Sequence, residues 1–273
     1  MPAVDPSGTL VLVGCGKMGT AMLRAWLATS AAARFAVVEP AGPPSELAAA
    51  AGTIWHRTSA TLSPDLLPDA VVFALKPQVM DGVLPEYRRF VRQETLFLSI
   101  AAGKTMAGVT SHLGPAALVR AMPNTPAAIG RGITVACAGP RVTRMQRQFC
   151  ERLLSAIGES AWVENEALMD AVTAVSGSGP AYVFLLIETL ARAGAEVGLP
   201  GDLALRLARS TVAGAGELAR QSPESPSRLR ADVTSPGGTT EAALAILMGT
   251  NGLEPLIARA VAAATARSRE LAS

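Results

Sequence analysis

Lysine is nearly absent from this chain. Its 273 residues hold only Lys17, Lys76 and Lys104, and none follows Lys104. A step that needs an amine in the second half of the chain is therefore excluded. Histidine is scarcer still. His56 and His112 have no ligand-like partner at metal spacing, so both are expected as surface or loop residues rather than catalysts. Cys15, Cys137 and Cys150 are odd in number and widely separated, without a C-x-x-C, which argues against a disulfide framework and against a zinc site. Net charge is only +2 and no basic cluster stands out, so nothing points to nucleic acid. No apolar stretch approaches the roughly 18 residues that span a bilayer. The run Thr9–Gly14 is too short for a signal-peptide core, and no basic segment precedes it. The expectation is a cytosolic protein that binds no metal, membrane or nucleic acid.

Apolar residues make up 49% of the chain, much of it alanine, and mean hydropathy is +0.32. With charged residues at only 17%, some surface is expected to be buried against another subunit. The length suits one large domain or two ordinary ones.

The first half alternates short apolar runs with helical patterns. Strands are expected at Thr9–Val13, Phe35–Glu39, Ala70–Ala74, Thr95–Ile100, Ala117–Met122, Ile133–Ala136 and Ala161–Val163. Helices are expected at Lys17–Thr29, Ser45–Ala51, near Val79–Val91 and near Thr143–Ile157. That alternation predicts a Rossmann-type α/β domain with a doubly wound parallel sheet over residues 1–163. From Glu164 the strand signal disappears. Helical patterns follow at Glu166–Ala174, Pro180–Val197, Asp202–Arg220, Pro226–Val233, Thr239–Met248 and Leu253–Leu271, giving an all-helical domain over 164–273. The Pro180–Val197 pattern is apolar on most sides, so it is expected in a core or between subunits.

The first strand runs into Gly14-Cys15-Gly16-Lys17-Met18-Gly19, a G-x-G-x-x-G between strand and helix as a dinucleotide fingerprint requires. Gly14 permits the tight turn, Gly16 lets the backbone approach a pyrophosphate, and Gly19 lets the helix pack close on the sheet. Glu39 follows Gly19 by 20 residues, where an acid takes ribose hydroxyls and repels a 2′-phosphate, favouring NADH over NADPH. As a plain alternative it is a strand-end carboxylate in water. Ala74-Leu75-Lys76-Pro77 ends another strand, on the side where such sheets bind ligands. Lys76 is read either as lining the nicotinamide ribose or as an exposed helix-start lysine. Arg120-Ala-Met-Pro-Asn-Thr-Pro126 is a stiff loop that exposes Asn124 and Thr125 toward nicotinamide or substrate, or is simply a rigid turn.

The most informative run is Thr234-Ser235-Pro236-Gly237-Gly238-Thr239-Thr240. Ser235 is expected as the N-cap and Pro236 at the first helical position, leaving the first-turn N–H groups of Gly237 and Gly238 bare. Such a helix start holds a small carboxylate or phosphate. Taken alone, such a run is more often an ordinary capped helix, and the rest of the chain favours the anion site.

Together V-G-C-G-K-M-G, A-L-K-P-Q, S-I-A-A-G, R-A-M-P-N-T-P-A, D-A-V-T-A-V-S-G-S-G-P-A-Y-V-F, G-L-P and V-T-S-P-G-G-T-T resemble the pyrroline-5-carboxylate reductase family, in order from Val13 to Thr240. The resemblance implies reduction of 1-pyrroline-5-carboxylate to L-proline by a nicotinamide cofactor. It also implies a Rossmann domain followed by a helical domain through which subunits interlock as dimers, often five to a decamer. The site would lie between the N-terminal domain of one subunit and helical segments that include the partner's. By the same resemblance Ser235, Gly237, Gly238, Thr239 and Thr240 hold the substrate carboxylate and ring nitrogen, with Thr240 touching the substrate. Ala74, Lys76 and Pro77 line the cofactor. Two departures matter. Family members often favour NADPH, which Glu39 opposes. An asparagine near the adenosine is replaced here by Thr58-Ser-Ala-Thr61.

The nearest rival is a β-hydroxyacid dehydrogenase, which needs a lysine in the helical half that this chain lacks. Ketol-acid reductoisomerase would need paired carboxylates for Mg²⁺, and Glu188 and Glu196 sit eight residues apart on one helix. A non-enzymatic nucleotide sensor would not need the Thr234–Thr240 run.

Overall fold

The computed structural model describes residues 8–272. Eight strands form one sheet in the order β3-β2-β1-β4-β5-β6-β7-β8. They are β1 (Thr9–Val13), β2 (Arg34–Val38), β3 (Thr53–His56), β4 (Ala70–Phe73), β5 (Leu96–Ser99), β6 (Ala117–Met122), β7 (Gly132–Ala138) and β8 (Gly158–Val163). β1 is central, paired in parallel with β2 and β4.

Both faces of β1 are buried because side chains alternate along a strand. Leu10 and Leu12 face a cluster with Met22, Trp26 and Leu153; Val11 and Val13 face another with Tyr87, Phe90, Val109 and Leu113. Helices α1 (Lys17–Ala28) and α4 (Arg144–Ser155) supply the first cluster. The second draws on α2 (Pro77–Val83), the 3₁₀ segment Leu84–Phe90 and α3 (Met106–Leu113). Helices on both faces explain why these strands read as continuous apolar runs. Trp26, fully buried, donates its indole N–H to the Leu153 carbonyl at 2.8 Å and so ties α1 to α4.

Several expected elements differ. β7 runs antiparallel to β6, so the sheet is not wholly parallel. The stretch between Met122 and Gly132 holds one 3₁₀ turn, Thr125–Ile129, too short for a parallel crossover of a dozen residues or more. The expected helix Ser45–Ala51 is a single 3₁₀ turn, Ser45–Leu47, because Leu47 alone is buried and no apolar stripe exists to hold a helix. The expected Val79–Val91 helix ends at Val83, two residues before Pro85, and continues as 3₁₀ with Leu84, Tyr87 and Phe90 inward at period three. β3 and α3 had no counterpart in the expected pattern.

By contact the chain divides at 177/178, not at 163/164. The first unit runs through Gly177 and includes the residues from Thr265 onward; the second is Ser178–Ala264. The second holds α6 (Gly179–Glu196), α7 (Gly201–Gln221), α8 (Pro226–Asp232), α9 (Thr239–Leu247) and most of α10 (Leu253–Ala272), with α5 (Met169–Val172) left in the first. Within it α6 packs on α7, Gly194 lying against Ala204.

The stretch Glu166–Glu196 forms one helical run that is long and apolar enough to cross a membrane by length and composition, which corrects the expectation that no such stretch exists. Gly177, Gly179 and Pro180 suggest a break there, but a π turn at Thr173–Gly177 carries the helix through. Only 6% of its most apolar window is buried within one chain. Phe184 and Leu185 are each 57% exposed, so the apolar face of α6 does not lie in a core of its own chain.

Candidate active site

Of the residues expected at the cofactor, the first unit gathers Gly14, Gly19, Ala74 and Glu39 around one turn. Gly14 has φ +88 and donates its N–H to the Val38 carbonyl at 2.9 Å, which locks the turn to β2. A Cβ on Gly14 would meet the Ala74 carbonyl oxygen at 2.7 Å, and one on Gly19 would strike the Gly14 carbonyl. Both positions therefore require glycine, and they hold Gly14, Gly19 and Ala74 in one cluster. Ala74 donates its N–H to the Val13 carbonyl at 2.8 Å, continuing the β1–β4 ladder to this edge.

Gly16 is different. Nothing lies within 4 Å of an added Cβ, the residue is exposed, and it is the N-cap of α1. The open side of this cap, with Lys17 and Met18 at the first helical positions and no acid in the first turn, fits a phosphate group. Glu39 lies one residue beyond β2 and is half-buried. Its Oε2 accepts the Cys15 N–H at 2.7 Å and its Oε1 the Ala41 N–H at 3.1 Å. The carboxylate is thus fixed against the glycine turn itself. Burial pushes the Cys15 thiol up, with Glu39 adding to the rise. Lys76 is exposed as the N-cap of α2, with Pro77 at its first position.

Asn124 is not a free donor. Its Oδ1 accepts the Ile133 N–H at 3.0 Å and its Nδ2 donates to Ser176 Oγ at 3.3 Å. Thr125 beside it is exposed. Ser176 reaches Asn124 from 52 residues further along the chain.

The Thr234–Thr240 run belongs to the second unit. Ser235 is not the N-cap of α9; Gly238 is. The Ser235 carbonyl accepts the Gly238 N–H at 3.0 Å and Gly237 has φ +68, so Ser235–Gly238 is a closed turn with Pro236 and the left-handed glycine at its centre. The Pro-Gly pair was the signal for this turn. α9 therefore starts at Thr239, with Thr240 second and half-buried. Their N–H groups are first-turn donors without an intrahelical acceptor. The Gly237 N–H, expected to be bare, donates to Glu241 Oε2 at 2.7 Å, the third helical residue reaching back over the turn.

The large cavity of the first unit, about 860 Å³, does not mark this site. Gly8, Asp69 and Glu94 on its wall precede β1, β4 and β5, at the opposite ends of the strands from Gly14 and Ala74. The chemistry of the glycine turn outweighs the cavity's size.

Comparison with known proteins gives these parts a context. The family described as pyrroline-5-carboxylate reductase dimerisation matches residues 166–271, and that described as NADP oxidoreductase, coenzyme F420-dependent, matches 9–103. The chain is 45% identical to the pyrroline-5-carboxylate reductase of Pseudomonas aeruginosa over 205 residues, 75% of each chain. It is similar to the solved pyrroline-5-carboxylate reductase of Coxiella burnetii, with TM-score 0.88, 31% identity and 98% and 99% of the two chains covered. It is also similar to the Plasmodium falciparum pyrroline carboxylate reductase solved with NADP bound, with TM-score 0.82, 27% identity and coverage of 98% and 99%. The cofactor is a nicotinamide dinucleotide and the chain is a homo-oligomer, whose exposed α6 face lies in the region matched to dimerisation. The chain belongs to the pyrroline-5-carboxylate reductase family.

Proposed function

We propose that the enzyme carries out its imine reduction with NADH held at Gly14, Gly16, Lys17, Met18, Gly19, Glu39, Ala74, Lys76, Pro77 and Asn124, and with substrate on Ser235, Gly237, Gly238, Thr239 and Thr240. The reaction is that of the family: the C=N bond of 1-pyrroline-5-carboxylate is reduced, giving L-proline. When bound, the nicotinamide supplies the hydride. An imine protonates readily in water, and the iminium is already electrophilic, so the protein needs no strong acid. Its task is to align the reactants and fix the carboxylate. The observation that carries this reading is the start of α9, where Thr239 and Thr240 present N–H groups and hydroxyls together at the positive end of a helix. Thr240 Oγ hydrogen-bonds the ring nitrogen. Because the Gly237 N–H is engaged by Glu241 and the Gly238 N–H by the Ser235 carbonyl, the two glycines serve the substrate by lacking side chains, and its carboxylate takes its bonds from Thr239, Thr240 and the Ser235 hydroxyl.

Glu39 supports NADH. Its carboxylate is held by two backbone N–H groups beside the glycine turn, where it would accept from ribose hydroxyls and repel a 2′-phosphate. The decamer of five dimers is the assembly we adopt for the homo-oligomer, and light scattering would count its subunits. The deciding experiment for the substrate turn is Thr240→Ala. Its kcat/KM for pyrroline-5-carboxylate should fall about 10- to 100-fold, the worth of one hydrogen bond to a charged group, with cofactor affinity unchanged. Unchanged efficiency would remove Thr240 from the mechanism.

A further inference from the structure

Arg120 sits on β6 with its side chain only 5% exposed, and a guanidinium taken out of water needs partners. Its Nη1 lies 2.9 Å from Glu166 Oε1 and its Nη2 4.0 Å from Asp170 Oδ1. The same Glu166 oxygen accepts the Met106 N–H at 2.7 Å, at the start of α3. Asp170 Oδ1 accepts from Ser268 Oγ at 2.7 Å, in the part of α10 that belongs to the first unit, and its Oδ2 lies 4.0 Å from Arg269 Nε. One buried cation thus fastens the start of the segment 166–177 to the sheet, to α3 and to the chain's last helical turns.

Alternation along a strand places residues 118, 120, 122 and 124 on one face, and Asn124 is still extended at φ −128, ψ 165. Three of the four touch the segment 166–177. Arg120 holds Glu166 and Asp170. The Met122 methyl lies over Gly177, whose missing side chain makes room for it. Asn124 Nδ2 donates to Ser176 Oγ. The far end of the segment is the π turn Thr173–Gly177, a rare geometry found at functional positions. The segment is therefore attached at both ends to a single strand face that leads directly to Asn124.

We propose that Ser176 is a positioning residue for hydride transfer: with Arg120 anchoring its segment, it fixes the rotation of the Asn124 amide at the cofactor end of β6. Asn124 Oδ1 is held by Ile133 N–H and one Nδ2 proton by Ser176, which leaves the second Nδ2 proton aimed by both contacts. Without the hydroxyl the amide keeps one anchor and swings about it. This inference rests on the reading that Asn124 meets the nicotinamide cofactor.

The test uses the full-length oligomer with Ser176→Ala, Ser176→Thr, Asn124→Ala and the Ser176→Ala/Asn124→Ala double variant. Steady-state kinetics, cofactor binding by fluorescence and subunit count are measured for each. Ser176→Ala should lower kcat about 3- to 10-fold, the loss of one neutral hydrogen bond, with substrate KM and oligomeric state unchanged. Ser176→Thr keeps a hydroxyl and should recover most of the rate. In the double variant the two losses should be far less than multiplicative, because both act on one amide. Fully multiplicative losses, or wild-type kcat in Ser176→Ala with only a lower melting temperature, would overturn the proposal. If Asn124→Ala has wild-type kinetics, the assignment of Asn124 to the cofactor is what fails. If Ser176→Ala alone is then impaired, Ser176 acts elsewhere and the positioning role is lost as well.

Discussion

The two units of this chain are built on different physics. The first closes its own core: β1, β4 and β5 are wholly buried or nearly so, and every buried aromatic side chain among the described residues lies in it. In the second, Ala204 and Ala208 are the only buried apolar residues among those described, while Phe184, Leu185, Leu186 and Leu190 on α6 stand 44–57% exposed. A helix that is apolar nearly all round cannot satisfy its side chains in water alone. The first unit covers its own apolar faces, and the second leaves the apolar face of α6 uncovered within one chain. That is why a composition poor in charge belongs to a homo-oligomer, and why hydropathy alone flags Glu166–Glu196 as a possible membrane span.

Truncation of matching leucines would break this contrast most directly. Leu12→Ala, fully buried in β1, should cost about 2–5 kcal/mol of unfolding free energy in a denaturant melt. Leu186→Ala, 48% exposed in one chain, should change the stability of the dissociated chain by less than about 0.5 kcal/mol. It should still raise the subunit dissociation constant in a dilution series. Equal effects on the isolated chain would show that the second unit has a core of its own.

A smaller effect is expected at the cofactor end. Glu39→Ser should remove the carboxylate that opposes a 2′-phosphate, raising kcat/KM with NADPH about tenfold relative to NADH, the worth of one close charge repulsion. A wild-type preference for NADPH of a hundredfold would sink the proposed role of Glu39.

The smallest effect concerns alkaline pH. Burial pushes the Cys15, Cys137 and Cys150 thiols and the Tyr87 phenol up from ordinary values of 9.0 and 10.0, and all four lie in the first unit. A raised folded-state pKa gives stability that is intact below the ordinary value and is lost as pH rises, because the unfolded chain ionises first. The melting temperature should therefore decline from pH 8 to pH 10, and Cys150→Ala should flatten that decline. A decline unaltered in Cys150→Ala would assign it to other groups.

Much of the first unit was legible because a buried parallel sheet leaves a strong trace. Seven of its strands announce themselves as apolar runs, and the glycine turn falls where strand meets helix. β3 did not, because a four-residue edge strand with no buried residue, and with Ile54 exposed, carries no apolar run. α3 did not, because Gly108, Thr110 and Ser111 dilute its helical pattern; its N-cap, Thr105 bonded to the Gly108 N–H, was the available signal. At the Thr234–Thr240 run the residue types suggested a helix start, but Pro236-Gly237 places a turn first and moves the cap to Gly238. The pairing of Ser176 with Asn124 was not legible, although Ser176 stands in the segment Asp170–Phe184, because nothing local relates residues 52 apart.

What the sequence determined by itself is whatever depends on neighbours along the chain: the continuous apolar runs of the sheet, the glycine turn that only residues without side chains can make, and the hydroxyl-rich helix start. The lack of lysine after Lys104 likewise settled which chemistry the helical half cannot perform. The tertiary structure decided what depends on distant partners. It reversed β7, because the link from β6 is too short to cross over. It set Glu39 against Cys15 and tied Arg120 to Glu166 and Asp170. It also returned the end of α10 to the first unit, because a buried guanidinium and a buried hydroxyl must find their partners wherever the fold brings them.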